Sequence, residues 1–529
     1  MLGVILNVVL CFSVTEAVKI LIIYPIPSLS HHRPVMALTE NLVLRGYEVF
    51  LISPLRISSL EQHGNYTFVD VAVPDETFSD RQNNTVNFQR PRSAWQMLEI
   101  FAQLAELPRK QFLTDSFLNL KKIVHSEKLK FDVAIIESLL IPSSCAMIRL
   151  LGGAIPIISL SSFPAEPTGA ENYMGSFSHP SFIPYIRGKY TDRMNLWEKI
   201  YNWILSKYFA SEQQNLLKNA ARRFFKETFG PEKESLVDGC WTNISLILMA
   251  TNSMYFYPRP LGPNVIEVGP LHLRPSGALP KTLQNWLEGA VKGVIYFNLG
   301  CNFKSTSLAK DARNNILKYF KELPQGFRVL WKWEADGPMP GLGDNVLTQK
   351  WFPQQSILGH PSVRVFITQG GLQSFQEAVH HAVPMVGIPL FSDQRCNVAK
   401  IVDAKIGVRL SPEELYSFEK IKSAIDKVLH VKSYAENIKK HSSIARDFTS
   451  QSMDKAMFWV EHVARHGGAS HLRPATAEAN LFQFLCLDII SVILGLISIL
   501  SFAMYVLCKY LVSIVFVRDV KVSSKIKEH

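Results

Sequence analysis

Between Trp351 and Lys400, residue types suited to holding a nucleotide follow one another along the chain, WFPQQSILGHPSVRVFITQGGLQSFQEAVHHAVPMVGIPLFSDQRCNVAK. The strand-like VFIT runs directly into Gln369-Gly370-Gly371, where a helical pattern starts. Two glycines at such a turn let a phosphate approach the backbone, and the free N–H groups and partial positive charge of a helix start favour it. Glu377 lies two helical turns on, and a carboxylate there can accept paired hydrogen bonds from a ribose diol. Trp351 stands just ahead of a helix opening at Pro353, placed so that its ring can stack on a flat base. Asp393-Gln394, after PMVGIP, suit the hydroxyls of a sugar, although Asp393 is also a favoured helix N-cap type. A Gly-Gly turn alone is commonplace; the ordered set is not.

Positioning such a set takes strands that end together. KILIIY, YEVFLIS, FDVAIIE (131–137) and IPIISL (155–160) are short β-branched runs of strand length. After the first of them comes a loop, and then a helix opening at Pro34, where a missing N–H costs nothing. That helix carries Val35, Leu38 and Leu42 on one face and stops at Gly46. Strand–helix–strand order predicts a parallel sheet. The pattern restarts after GPLHLRPSGALP (269–280) with GVIYFNLG, FRVLWKW, VRVFIT and PMVGIP. Two α/β halves joined this way predict a ligand cleft between their strand C-terminal edges. The proline-rich segment 164–188 is expected to loop over it. Segment 93–113 is amphipathic, either packing or the wall of an apolar site, and Trp331, Trp333 and Trp459 read as core.

The ends suggest an address. The apolar start MLGVILNVVLCFSVTEA is too short to span a bilayer and reads as a signal peptide cleaved after Ala17. Ile489 to Cys508 is a run of twenty residues without a charge, and about twenty helical residues cross a ~30 Å hydrocarbon core. Basic residues begin directly after it, which puts the tail in the cytosol. Lys527 and Lys525, three and five positions from the C-terminus, resemble a dilysine signal for return to the endoplasmic reticulum. A lumenal body fits the sequons at Asn65, Asn83 and Asn243. Its cysteines Cys145, Cys240, Cys301 and Cys396 show no metal-site spacing, and no disulfide framework is implied. The net charge of +11 forms no dense stripe, so nucleic-acid binding is not expected.

The ordered set W-x-P-Q, x-G-G, Glu and D-Q resembles the signature of the UDP-glycosyltransferases, membrane-bound enzymes that conjugate small lipophilic molecules with a sugar. The likeness runs through NVIEVGPLH, GVIYFNLG, WKWE and RDFTSQSMDKAMFWVEHVARHGGASHLRPA to the anchor and tail. Its texture, notably ITQGGLQS and NVIEVG, is most similar to insect members with a detoxifying role. The resemblance implies a GT-B fold, two Rossmann-like domains facing across a cleft, plus one C-terminal transmembrane helix. The implied division is signal peptide 1–17, acceptor-binding domain 18–275, UDP-sugar-binding domain with return helices 276–486, transmembrane helix 487–508, and cytosolic tail 509–529.

Carried over by position, the resemblance implies that Trp351 stacks on uracil and Gln354 helps hold the nucleoside. Glu377 binds the ribose, Gln369 with Gly370 and Gly371 meets the diphosphate, and Asp393 and Gln394 meet the donor sugar. His31 matches the catalytic base, with His32 as the alternative, and Glu137 the carboxylate that orients it. A neutral imidazole can accept the proton of an attacking hydroxyl near pH 7, and the helix start stabilises the departing UDP. Attack opposite the leaving group implies inversion. No Asp-x-Asp occurs, so no metal or other cofactor is expected beyond the UDP-sugar co-substrate. UDP-glucose is the expected donor, a small lipophilic hydroxyl compound the acceptor, the membrane a partner through one span, and homo-oligomerisation is left open. Four positions depart from the usual pattern: Gln369 for His, Glu137 for Asp, Ala382 for Gly and Cys301 for Ser. The alternative is therefore a catalytically impaired GT-B protein that binds a lipophilic ligand or UDP-sugar.

Overall fold

Strands buried on both faces need unbroken apolar runs, and these runs build two all-parallel sheets. In the first, β1 (Lys19–Ile23), β2 (Glu48–Ser53), β3 (Tyr66–Asp70), β4 (Val133–Glu137), β5 (Ile157–Ser161), β6 (Ile244–Met249) and β7 (Val265–Glu267) lie in the order β3-β2-β1-β4-β5-β6-β7. In the second, β8 (Gly293–Asn298), β9 (Phe327–Lys332), β10 (Val346–Gln349), β11 (Val363–Thr368), β12 (Met385–Gly387) and β13 (Gly407–Arg409) lie in the order β10-β9-β8-β11-β12-β13. Each is the sheet of a Rossmann-like domain. Strand order reverses between β1 and β4 and between β8 and β11, the switch points at which open α/β sheets bind ligands.

The computed structural model describes residues 17–73, 95–165, 169–176, 178–337 and 339–526. The signal-peptide reading up to residue 16, the sequon at Asn83 and Lys527 fall outside these. By contact, the chain falls into a unit ending at Arg473, which holds both sheets, and a second unit from Pro474. Within the first unit, the helix Ser452–His466 brings Ala456, Met457, Val460 and Val463 against Ile20, Ile22 and Val133 of the first sheet. A late stretch of chain thus completes an early core. Another apolar cluster runs from Met97 and Phe101 of one domain to Trp331 and Val365 of the other.

Several sequence readings change. The first helix spans Leu29–Leu44 with Pro34 inside it, so His31 sits in its first turn and not in a loop ahead of it. The ring of Pro34 is tolerated because it comes early in a helix whose inner face, Val35, Leu38 and Leu42, is wholly buried. The described part of 164–188 lines none of the central cavity. It is tied elsewhere, since the Asn202 amide donates to Pro180 O at 2.7 Å and Ile183 O at 2.8 Å. Ala382, in place of a glycine, takes φ 56°, a left-handed conformation costing roughly 1–2 kcal/mol for a residue with a Cβ.

The second unit contains one long helix, Leu487–Ile526, of which Leu487–Val517 is long and apolar enough to cross a membrane. It does not stop at Cys508 as read from the first lysine. Lys509 is a good helix former with a stem long enough to lift its charge out of an apolar layer.

Cys145 and Cys240 are joined in a disulfide that ties the helix Ile141–Gly152 to the turn before β6. This corrects the reading that none was implied; the two residues are 95 apart in sequence and only the fold brings them together. Closing a loop of that length restricts the unfolded chain, and its removal typically costs about 2–5 kcal/mol. A Cys145→Ser/Cys240→Ser variant is expected to melt well below the parent in a thermal scan without reductant, and to match the parent when both are reduced.

Candidate active site

The C-terminal ends of β1 and β4 are neighbours, so the residues leaving them meet. His31 Nδ1 lies 3.2 Å from Glu137 Oε1, and the other Glu137 oxygen accepts from the Leu139 N–H at 2.6 Å. Glu137 is fully buried and the His31 side chain is 12% exposed. The extra methylene of Glu137, relative to the usual Asp, therefore does not prevent the pairing. The His31 ring packs edge-on against Phe163 and its carbonyl accepts from Ser162 Oγ. With Nδ1 engaged by a carboxylate, Nε2 is the nitrogen left to act as a base.

His32 is the opposite case. It is fully buried, with Nδ1 3.0 Å from Ser28 O and Nε2 2.8 Å from Ser53 Oγ. Burial pushes its pKa down to about 4, so it stays neutral in the folded protein at neutral pH. The unfolded chain gains a proton as pH falls below the ordinary value of 6.5, while the folded protein gains it only near 4. Stability is thus intact above 6.5 and is lost as pH falls toward 4, by about 3 kcal/mol at most. Urea titrations from pH 7 to 4 are expected to show a shallower loss for His32→Gln than for the parent.

In the second domain, β8 and β11 end side by side. Gly370 has φ 80°, and a Cβ there would meet Val398 Cγ2 at 2.5 Å, so only glycine fits the turn. Gly371 caps the helix Leu372–His380. Gly300, after β8, has φ 83°, a left-handed conformation that also favours glycine. Gln369 is buried, and its Oε1 has no hydrogen-bond partner among the described residues. Asn397 Nδ2 donates to Gly370 O at 2.9 Å and to Asp393 Oδ2 at 2.8 Å, and burial holds the Asp393 carboxyl above its ordinary pKa. Gln394 starts a helix, its Oε1 accepting from the Leu390 and Phe391 N–H groups. Trp351 is half exposed, and Lys332 Nζ lies 5.6 Å from its ring centroid.

Glu377 is fully buried behind this wall. Its Oε1 accepts from Arg33 Nη1 at 2.8 Å and faces His272 Nε2 at 3.4 Å; its Oε2 accepts from Gln354 Nε2 at 2.7 Å. Burial pushes its pKa up, but His272, Arg33 and Gln354 outweigh this and hold it below the ordinary carboxylate value. Arg33 belongs to the first domain, so this ion pair crosses the cleft. Ser28 Oγ to Asn302 Oδ1 and Gln373 Nε2 to Ser162 O cross it too, at 3.0 and 3.3 Å.

One cavity gathers His31, Trp351, Gln354, Gln369, Gly371, Asp393 and Gln394 into a single lining. Glu137, Gly370 and Glu377 stand behind it. The opposite wall is apolar, made by Met97, Ile100, Phe101, Leu104, Leu139 and Phe163. The amphipathic segment left open between packing and wall therefore serves as both. Arg33, Lys332, Asn298 and Asn302 also line the cavity and went unnamed in the sequence. Asn298, the last residue of GVIYFN, was the most legible, since strand ends at a switch point face the cleft. It donates to Gln354 Oε1 at 2.6 Å. Among the described residues no group of three or more His, Cys, Asp or Glu is arranged to hold a metal ion.

A family model described as UDP-glucoronosyl and UDP-glucosyl transferase matches residues 19–522. The chain is 30% identical over 506 residues to UDP-glucosyltransferase 2 of Dactylopius coccus, covering 94% of each protein. It is 31% identical over 495 residues to UDP-glucuronosyltransferase 2B18 of Macaca fascicularis, covering 91% of each. Among solved structures, a UDP-glucosyltransferase from Polygonum tinctorium superposes with a TM-score of 0.56 over 88% of this chain and 99% of that one. At 15% identity, that likeness speaks for the GT-B fold alone.

Proposed function

This chain belongs to the UDP-glucoronosyl and UDP-glucosyl transferase family and transfers a sugar from a UDP-sugar to an acceptor, and on that premise we propose that it moves a hexose, glucose first among candidates, onto a hydroxyl of a small lipophilic compound. The observation that carries this reading is the shared cavity. Apolar residues from the first domain and the proposed donor residues of the second line it together, with His31 in the same lining.

In this reaction the acceptor lies against Met97, Phe101 and Phe163, and its hydroxyl gives its proton to His31 Nε2 as its oxygen attacks the anomeric carbon. Glu137 holds the ring through Nδ1 and stabilises the imidazolium. The glycosidic bond to UDP breaks on the opposite face, inverting the centre. Gln369 and the N–H groups at Gly371 and the following helix start take up charge on the departing diphosphate. Trp351 stacks on uracil, Gln354 and Glu377 hold the nucleoside, and Asp393 and Gln394 hold the sugar. No metal is required. Three features support a lumenal body in the endoplasmic reticulum: an apolar start, a candidate span and a basic tail.

The rival reading, a binding protein disabled at Gln369 and Glu137, is disfavoured by the 3.2 Å contact between Glu137 and His31. UDP release by microsomes expressing the chain tests both. They would be given UDP-glucose, UDP-glucuronic acid or UDP-N-acetylglucosamine with phenols, flavonoids and steroids, with and without EDTA. Acceptor-dependent release from UDP-glucose is expected. Release from another donor alone would correct the sugar, and loss on adding EDTA would overturn metal independence. Tight UDP-sugar binding with no release across the panel would favour the binding protein.

A further inference from the structure

The linker between the two sheets runs past a groove distinct from the central cavity. Arg33, Arg56, His272 and Arg274 line it, and Glu40 is its one carboxylate among the described residues. Arg56 pairs with Glu61 and Arg274 with Glu40, but the two arginine side chains are 54% and 60% exposed. Such pairs hold a guanidinium weakly and leave it N–H groups to give. His272 is the opposite case. It is only 4% exposed, its Nε2 faces Glu377, and its Nδ1 has no hydrogen-bond partner among the described residues. A buried ring nitrogen in that state calls for a partner from outside the chain. Gln355 fixes this wall, its Oε1 accepting from Arg274 N–H at 2.9 Å and its Nε2 donating to His272 O at 3.1 Å. Arg33 lines the groove and the central cavity alike, and both it and His272 reach Glu377. The groove thus backs directly onto the buried carboxylate.

We propose that this groove is a second binding site, for a small phosphate ester that carries hydroxyl groups, and that its occupant tightens donor binding. The planar guanidinium groups of Arg56 and Arg274 suit phosphate oxygens. With Nε2 carrying its proton toward Glu377, His272 Nδ1 is an acceptor, which a hydroxyl satisfies and a bare phosphate dianion does not. The coupling rests on the reading of Glu377 as the carboxylate that holds the ribose. An anion in the groove gives Arg33 a second partner, so its grip on Glu377 loosens and an oxygen is released to the ribose. Ser59 also lines the groove, its Oγ donating to Glu40 Oε1 at 2.6 Å, so a negative charge introduced there opposes an anion.

Calorimetry on the full chain in detergent, with and without saturating UDP, tests the groove, with glucose 6-phosphate as the probe. Saturable binding is expected in the parent under both conditions. The Kd is expected to rise roughly 10-fold or more in Arg56→Gln/Arg274→Gln, which loses charge-assisted hydrogen bonds. A second variant, Ser59→Glu, keeps both arginines and is expected to weaken binding by like-charge repulsion. These positions are exposed and lie outside the central cavity, so melting temperature and turnover without the ester are expected to match the parent's. No binding in the parent, or equal binding in parent and variants, overturns the proposal. So does binding that UDP abolishes, which would place the probe in the donor site. Inorganic phosphate binding as tightly as the ester would overturn the hydroxyl contact. A UDP titration reads the coupling apart from the site: UDP is expected to bind about 5-fold more tightly with the ester present, and only in the parent. Ester binding with no change for UDP keeps the site and overturns the coupling, whereas a chain that binds the ester but not UDP would sink the donor reading.

Discussion

Replacing His31 with alanine is expected to lower kcat by about 10²- to 10⁴-fold, the usual worth of a positioned general base, while the Kd for UDP-sugar is unchanged. The separation follows from the geometry. His31 belongs to the first helix and is fixed by Glu137, Phe163 and Ser162, all of the first domain. The residues proposed to hold the donor come from the second, most of them after β11 and β12. Removing the imidazole is therefore expected to leave the proposed nucleotide contacts in place and to take away only the proposed proton acceptor. Glu137→Gln is the companion variant. It keeps an oxygen toward Nδ1 but not the charge that stabilises the imidazolium, so its loss in kcat is expected to be smaller, again with donor binding retained. Single-turnover assays with calorimetry for the donor check both. A His31→Ala variant that turned over at the parent's rate would remove His31 from the chemistry.

That Trp351, Gln354, Gln369, Gly371, Asp393 and Gln394 share one cavity lining was legible because they lie close together in sequence at strand ends and helix starts. Gly370 is required by its φ of 80° and by Val398, and a Gly-Gly pair at a strand end announces that need. The strands around it were legible because full burial demands unbroken apolar runs. Less was visible wherever the cause is long-range. The three-residue strands β7, β12 and β13 hold only by pairing with their neighbours, although PMVGIP marked the second of them. The disulfide joins residues 95 apart, and the chain alone gives no reason to prefer that pair. Arg33 looks like any surface arginine until the second domain brings Glu377 against it. The start of the first helix was misplaced because Pro34 is a strong local signal for a helix opening, and the buried inner face that overrides it is a tertiary effect.

Glu377→Gln is expected to weaken donor binding and stability together. Glu377 is fully buried with one oxygen facing Arg33 and the other Gln354, so a ribose diol bound as proposed reaches it only if one of these side chains moves aside. Gln354 is the partner that can leave. Its Nε2 also donates to Ser374 Oγ at 3.0 Å, a bond it can keep on turning from Glu377, whereas Arg33 would lose the one carboxylate it pairs with among the described residues and with it a tie between the domains. Glutamine keeps the shape but offers one acceptor oxygen without charge, and a hydrogen bond to a charged group is worth about 1.5–3 kcal/mol. The donor KM is therefore expected to rise roughly 10- to 100-fold with kcat less affected, because the ribose is held alike before and during transfer. The unpaired Arg33 adds a stability cost of roughly 3 kcal/mol, the low end for a broken buried pair, since its side chain is 28% exposed. The pH dependence has a fixed sign. A carboxyl held below its ordinary pKa stabilises the fold above the unfolded value, and that contribution is lost as pH falls through the folded one. The parent's advantage over Glu377→Gln in thermal melts is thus expected to be full at neutral pH and to shrink in acid, where protonation makes the two side chains alike.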